Sequence, residues 1–554
     1  MWRAEDISLT WITGALVVAS LILYGLHPIK AWRLRRIPGP RSAWLIGNFG
    51  SFLTGRGIHL VFSDWSKQYG SLYKIWWGAS PSIVVTEPEV GRLLILRNGE
   101  RLALRGAPDL LTGRDHKIQA ANLVAIKDKT QHRDVKNAWF PMFNSASLEA
   151  SCTLINECSE RLCSHFAKYA ADGQETNAWR DYGRLTMGVV GTVAFGVDFH
   201  TQDVDESEKS EAAKELIASA QALFTQNPFG GNLYAMLVLL FPFALPILKP
   251  IARVFPDAQM RKMAAARERL YKTSTQLLEM ARLQASQDGK EVHSVDVAAS
   301  ASATDASAKP VDKLARKQAR AVKPGSFMHL LMSSHHTTDG SSFTDTEIIA
   351  QAFIFLLAGY ETTANTLAFT TYALASNPDK VAKLVEEIDR ETPSGEVTAE
   401  HLVRMPYVDA CIKEALRLYP PAVLLGRQLG EDTTIKGHVL PKGTGIMVPA
   451  YTLHHDPAIY ADAEAFKPER WIEGTPEYAA DKHMPGKWMP FGEGTRVCIG
   501  QRLALMEAKI ALAHVFRRFT FKLSPGQIPL STECTLLLKP KHGVFVTPIL
   551  RKEE

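Results

Sequence analysis

Residues 344–375 read TDTEIIAQAFIFLLAGYETTANTLAFTTYALA, and the helix this pattern predicts carries apolar side chains on nearly every face. A helix without a polar side has none to offer water, so it must run through the interior of the molecule. The rest of the chain, 554 residues in all and 46% hydrophobic, has to be wrapped around it. A chain of this length is either several domains or one large fold.

The surrounding pattern is mostly helical. Residues 44–86 are mixed, with a helical patch at 59–69 and strand-like runs at 72–77 and 83–86. Helical periodicity dominates beyond Val90, including 410–418 and 501–519, and short strands return at 431–450, punctuated by Gly437, Pro441, Gly443 and Gly445. The balance predicts a fold that is mainly α with a minor β part. Residues 234–255 are apolar but broken by Pro242, Pro246 and Pro250, which predicts a hydrophobic loop pair, either dipping into a membrane surface or packed into the core, rather than a spanning helix. Residues 285–325 are rich in Ala, Ser, Lys and Asp and predict a disordered or loosely helical insertion.

The N-terminus sets the compartment. Residues 7–26 are free of charge and, as a helix, span about 30 Å, the thickness of a bilayer core. Lys30, Arg33, Arg35 and Arg36 follow them, an excess that keeps what comes after on the cytosolic side. A cleaved signal peptide is the plainer alternative, but the stretch is long for one and no basic region leads it. Residues 1–36 are therefore read as an anchor with its basic flank, ended by the stiff Ile37-Pro38-Gly39-Pro40 turn. Six cysteines without any CxxC pairing fit a reducing compartment, and a net charge of +5 is too weak to suggest nucleic acid as a partner.

The sharpest chemical signal is 491–500, FGEGTRVCIG. Glycines on both sides of a lone cysteine allow a tight turn and a close approach, so that amide donors point at the sulfur. The helix pattern that follows brings its positive end to the same place. A lone cysteine is ordinarily a small core residue; the spacing F-x-x-G-x-R-x-C-x-G reverses that reading and makes Cys498 a metal ligand.

This segment resembles the haem-binding loop of the cytochromes P450, and further motifs agree in order over 37–548, apart from 285–325. The resemblance implies a single catalytic domain, 37–554, with the P450 fold and a haem b whose iron takes Cys498 as axial ligand, flanked by Phe491 and Gly492. The segment Ala358-Gly359-Tyr360-Glu361-Thr362-Thr363 is similar to the family's oxygen-activating helix, which gives Ala358 a place against the haem and makes Glu361 and Thr362 the acid and alcohol of a proton relay. Gly359 weakens a buried helix by about 1 kcal/mol, a cost consistent with a backbone that opens for a ligand. Glu414 and Arg417 form ExxR among apolar neighbours, and with Arg470 they are assigned to structure rather than chemistry. Arg496 and Arg427 are placed on the haem propionates; where the family often shows Trp-x-x-x-Arg, His132 and Lys136 stand instead, and lysine offers only a point charge.

The implied reaction inserts one atom of O2 into an unactivated bond. Electrons must come from outside, since no flavin or nicotinamide fingerprint is present, which implies NADPH acting through a flavoprotein reductase steered by Lys136 and Lys487. Pocket walls fall at 105–128, 353–358, 421–425 and 535–538, largely apolar, so the substrate is expected to be a lipophilic small molecule arriving from the membrane of the endoplasmic reticulum or a plastid envelope. Within the family the central helix is similar to the group containing thromboxane synthase and the carlactone oxidases. The alternatives are a haem-thiolate isomerase or dehydratase acting on a lipid peroxide without reductase, and a haem protein that only senses or carries a gas.

Overall fold

The computed structural model describes residues 32–43, 46–53, 55–78, 80–97, 116–203, 208–224, 245–287, 326–393 and 395–551, together with Gly14, Tyr234 and Leu237. The expected anchor at 7–26, Gly14 apart, and the insertion from 288 to 325 lie outside them. Residues 285–287, assigned above to the insertion, instead end the helix Ala258–Gln287. Among the described residues no helix is long and apolar enough to cross a membrane.

The central helix spans Asp345–Ala375. Its start is fixed by a capping box: Thr344 Oγ1 accepts from the Glu347 amide while the Glu347 carboxylate accepts from the Thr344 amide at 2.9 Å. Buried side chains occupy every face, from Ile348 and Phe353 to Phe369 and Leu374. It packs against the helices Ala178–Val189, Ala258–Gln287, Pro406–Leu418 and Gln501–Arg518, the wrapping that an apolar circumference demands.

The sheets lie at the margins. Strands β1 (Leu72–Trp77) and β2 (Ser80–Val85) form an antiparallel hairpin, and β3 (Thr176–Asn177) precedes the helix Ala178–Val189. Further on come β4 (Leu425–Gln428), β5 (Thr433–Ile435), β6 (His438–Leu440) and β7 (Gly445–Val448). The C-terminal strands are β8 (Phe519–Leu523), β9 (Thr532–Cys534), β10 (Leu538–Pro540) and β11 (Phe545–Leu550). The orders are β1-β2-β7-β4, β3-β11-β8, β9-β10 and β5-β6, and among the described residues only β2 with β7 is parallel. The fold is mainly helical with a minor sheet component.

One expectation is corrected. Within 234–255, Leu245–Val254 is a helix rather than part of a loop pair, with Pro250 inside it. Pro246 stands in its first turn, where an amide has no helical partner to lose, and the interior break is confined to the one bond Pro250 cannot make. Ile247, Ile251, Val254 and Phe255 are exposed.

Candidate active site

The cysteine loop is closed by the Cys498 amide donating to the Phe491 carbonyl at 2.9 Å. Gly492 and Gly494 have φ of 71° and 76°, which a side chain would strain, and they carry the chain into the short 3-10 turn Gly494–Arg496. Gly500, expected to serve the same purpose, does not: its φ is −84°, and it caps the helix Gln501–Arg518. The Cys498 side chain is exposed, yet burial pushes its thiol pKa up, while the backbone amides of Gly500 and Gln501 pull it down. The two observations agree if the sulfur opens onto a space enclosed by protein. Those amides stand at the positive end of a long helix, where anionic sulfur is favoured.

Four cationic or polar side chains gather beside this loop. Lys136 Nζ donates to the Thr495 carbonyl at 3.0 Å, and Arg496 Nη2 to the Ile126 carbonyl at 2.8 Å. Arg427, on β4, donates to the carbonyls of Gly426 at 2.9 Å and Glu493 at 3.5 Å. His132 is buried one turn before Lys136 on the helix Lys129–Trp139. Burial, then the charges of Arg496 and Lys136, pushes the His132 pKa down to about 4, and burial with Arg496 lowers that of Lys136. Crowding charges of one sign is unfavourable unless an anion joins them, and the carboxylates of a haem meet that need. These residues and the sulfur therefore fit a haem.

On the central helix, Ala358 is exposed and Thr362 half-exposed in the middle of a buried run, four residues apart on one face. The Thr362 hydroxyl donates to the Ala358 carbonyl at 2.7 Å. Glu361 is buried, its Oε2 accepts no hydrogen bond, and burial raises its pKa to about 7 against the pull of Lys539 and with help from Glu533. Gly359 has a different purpose from the one expected: a Cβ there would lie 2.6 Å from Val190 Cγ2, so close helix packing, rather than an opening for a ligand, excludes a side chain.

The structural trio is assembled as expected and is larger. Glu414 takes two bonds from Arg417, both 2.9 Å, and one from Arg470 at 2.8 Å. It also accepts from the Trp471 indole at 2.9 Å and the Lys467 amide at 3.0 Å. Asp481, which carried no sequence signal, takes Arg470 Nη1 at 2.8 and 3.0 Å. Lys487, expected to steer a reductase, is half-exposed: its ammonium lies 5.3 and 5.6 Å from the ring centroids of Tyr460 and Trp471 and 3.3 Å from His483 Nδ1, and burial lowers its pKa. Of the expected pocket walls, 105–115 lie outside the described residues, and Phe353 and Phe355 turn into the core against Tyr271 and Trp139. Ala358 and the turn 535–537, with Leu536 exposed, keep accessible surface, whereas Leu538 is fully buried.

Comparison with known proteins agrees with this geometry. The family description "Cytochrome P450" matches residues 37–547. Thromboxane-A synthase of Mus musculus is 29% identical over 99% of this chain and 98% of its own length. Thromboxane-A synthase of Sus scrofa is 30% identical over 98% and 97%, and cytochrome P450 3A5 of Homo sapiens 28% over 97% and 96%. With a helix-wrapped core, a glycine-turned cysteine loop and a family match spanning nearly its whole length, this chain belongs to the cytochrome P450 family of haem-thiolate oxidoreductases.

Proposed function

We propose that this P450 is a monooxygenase anchored by residues 7–26 in the endoplasmic reticulum membrane, with residues 37–554 as a cytosolic catalytic domain. It inserts one atom of O2 into a lipophilic small molecule, using electrons from NADPH delivered by a separate flavoprotein reductase. The observation that supports it most directly is the Cys498 sulfur, accessible yet desolvated, under the Gly500 and Gln501 amides.

A haem held there supplies an electron-rich iron at which O–O cleavage is favoured. Cys498 is its ligand, and its negative charge is held by the two amides and the helix end behind them. His132, Lys136, Arg427 and Arg496 bind the propionates. Ala358 leaves room above, where any larger side chain would fill the space. Thr362 holds a proton at the cavity face through a hydroxyl free to leave the Ala358 carbonyl, and Glu361, half protonated near neutrality, replaces that proton once it is used. The accessible apolar side chains Ala358 and Leu536 favour a lipophilic substrate.

The test is a screen of lipophilic metabolites with reductase and NADPH, using Cys498→Ala as the blank. That variant is expected to lose the red-shifted spectrum of the reduced carbon monoxide complex and all product; retention of both would remove the thiolate assignment. The relatives named thromboxane-A synthase favour a second reading, rearrangement of a lipid peroxide. Product formed from such a peroxide without NADPH or reductase would select it.

A further inference from the structure

Glu361 shares one face of the central helix with Asn365, one turn on, and this face meets the β9–β10 hairpin. Asn365 Nδ2 donates to the Leu538 carbonyl at 3.1 Å, and its Oδ1 accepts from the Trp179 indole at 2.6 Å. The next residue in β10 is Lys539, 2% exposed, with its ammonium 5.9 Å from the Trp179 ring centroid. Lys539 stands directly opposite Glu533 in the hairpin register and pairs with it at 3.3 Å, Glu533 reaching partway to solvent. A buried lysine on the hairpin docked one turn from a buried carboxyl whose Oε2 lacks any hydrogen bond is a costly arrangement for packing alone. Arg180 and Arg184, on the same helix as Trp179, bear on Tyr360; the charges acting on Glu361 are those of the hairpin.

We propose that Lys539 and Glu533, an ion pair on the hairpin that Asn365 holds against this helix face, are positioning residues for the proton relay: the pair sets how readily Glu361 takes a proton back from solvent. The turn between these strands, 535–537, belongs to the candidate substrate wall 535–538, so what seats against Leu536 shares a hairpin with the relay's charge control. The inference rests on Glu361 being the relay acid.

The test follows the carboxyl directly, by infrared difference spectroscopy of the purified holoprotein across pH, the band of protonated Glu361 being assigned by its absence in Glu361→Gln. Lys539→Met is expected to move the midpoint to higher pH and Glu533→Gln to lower pH, each by about tenfold in proton affinity, while Lys539→Arg stays near the parent. Opposite signs are what general damage to the hairpin does not produce. Glu533→Gln, half-exposed and isosteric, keeps the test alive should Lys539→Met fail to fold. Shifts of the same sign, no shift, or no assignable Glu361 band would overturn the inference. If Glu361→Gln leaves product per NADPH unchanged, the relay reading fails instead; if it uncouples while the hairpin variants leave the midpoint fixed, only this inference fails.

Discussion

Replacing Glu414 by alanine takes one acceptor away from five donors: two from Arg417, and one each from Arg470, Trp471 and the Lys467 amide. Glu414 and Arg417 are 0% exposed and Arg470 1%. Arg470 keeps Asp481, so its charge stays compensated. Arg417 keeps the carbonyls of His454, Ala463 and Ala465 and the Tyr460 ring at 5.0 Å but no anion, and becomes an uncompensated interior charge. Breaking a buried pair in this way costs about 3–5 kcal/mol, or roughly two to three and a half powers of ten in the folding equilibrium. Removing the stranded charge as well, in Glu414→Ala/Arg417→Met, is expected to be milder than Glu414→Ala alone. The assay is urea unfolding of the haem-loaded protein followed by tryptophan fluorescence at fixed haem concentration. A loss below about 1 kcal/mol for Glu414→Ala, the range of surface pairs, would refute the reasoning, as would a double variant worse than the single.

Gly359→Ala gains about 1 kcal/mol of helix propensity but drives a methyl to 2.6 Å from Val190 Cγ2, so thermal unfolding is expected to show a net loss of about 1–2 kcal/mol that Val190→Ala relieves. Thr362→Ala is expected to keep haem and divert reducing equivalents to hydrogen peroxide; a parent-like ratio of product to NADPH would remove Thr362 from the relay. Because Glu361 has a folded pKa raised from 4.5 to about 7, its favourable contribution to stability is complete below 4.5 and is lost as pH rises through about 7. The stability difference between parent and Glu361→Gln is therefore expected to slope over that window and flatten above it. Lys136→Ala is expected to speed haem loss to apomyoglobin by about tenfold or more, the worth of a charge-assisted bond, whereas Lys136→Arg slows it by restoring a bidentate fork.

What could be read in advance was whatever a local rule governs. The central helix announced itself through an apolar circumference, and its start differed by one residue because Thr344 caps the helix without joining it. β1 was legible as Leu72–Trp77 from its run of large side chains. The cysteine loop was legible because its glycines answer a backbone demand, yet the demand at Gly359 was misjudged, since it comes from Val190 far away in sequence. Asp481 and Lys539 left no trace, because nothing local marks a charge whose partner arrives through the fold. Asn365 was there to be found: a polar side chain four residues from Glu361 on an otherwise apolar helix.

The parallel pairing of β2 with β7 joins residues near 83 to residues near 446, and β3 near 176 finds its neighbour only at 545–546. On the ribosome, then, the first hairpin and β3 emerge long before the strands that complete their sheets, and they wait with hydrogen-bonding edges unsatisfied. Chain ends closed so late make for slow maturation and leave an interval in which a chaperone or the membrane surface can shelter the early segments. A product halted before residue 545 would thus be no smaller enzyme but a scaffold with an open seam.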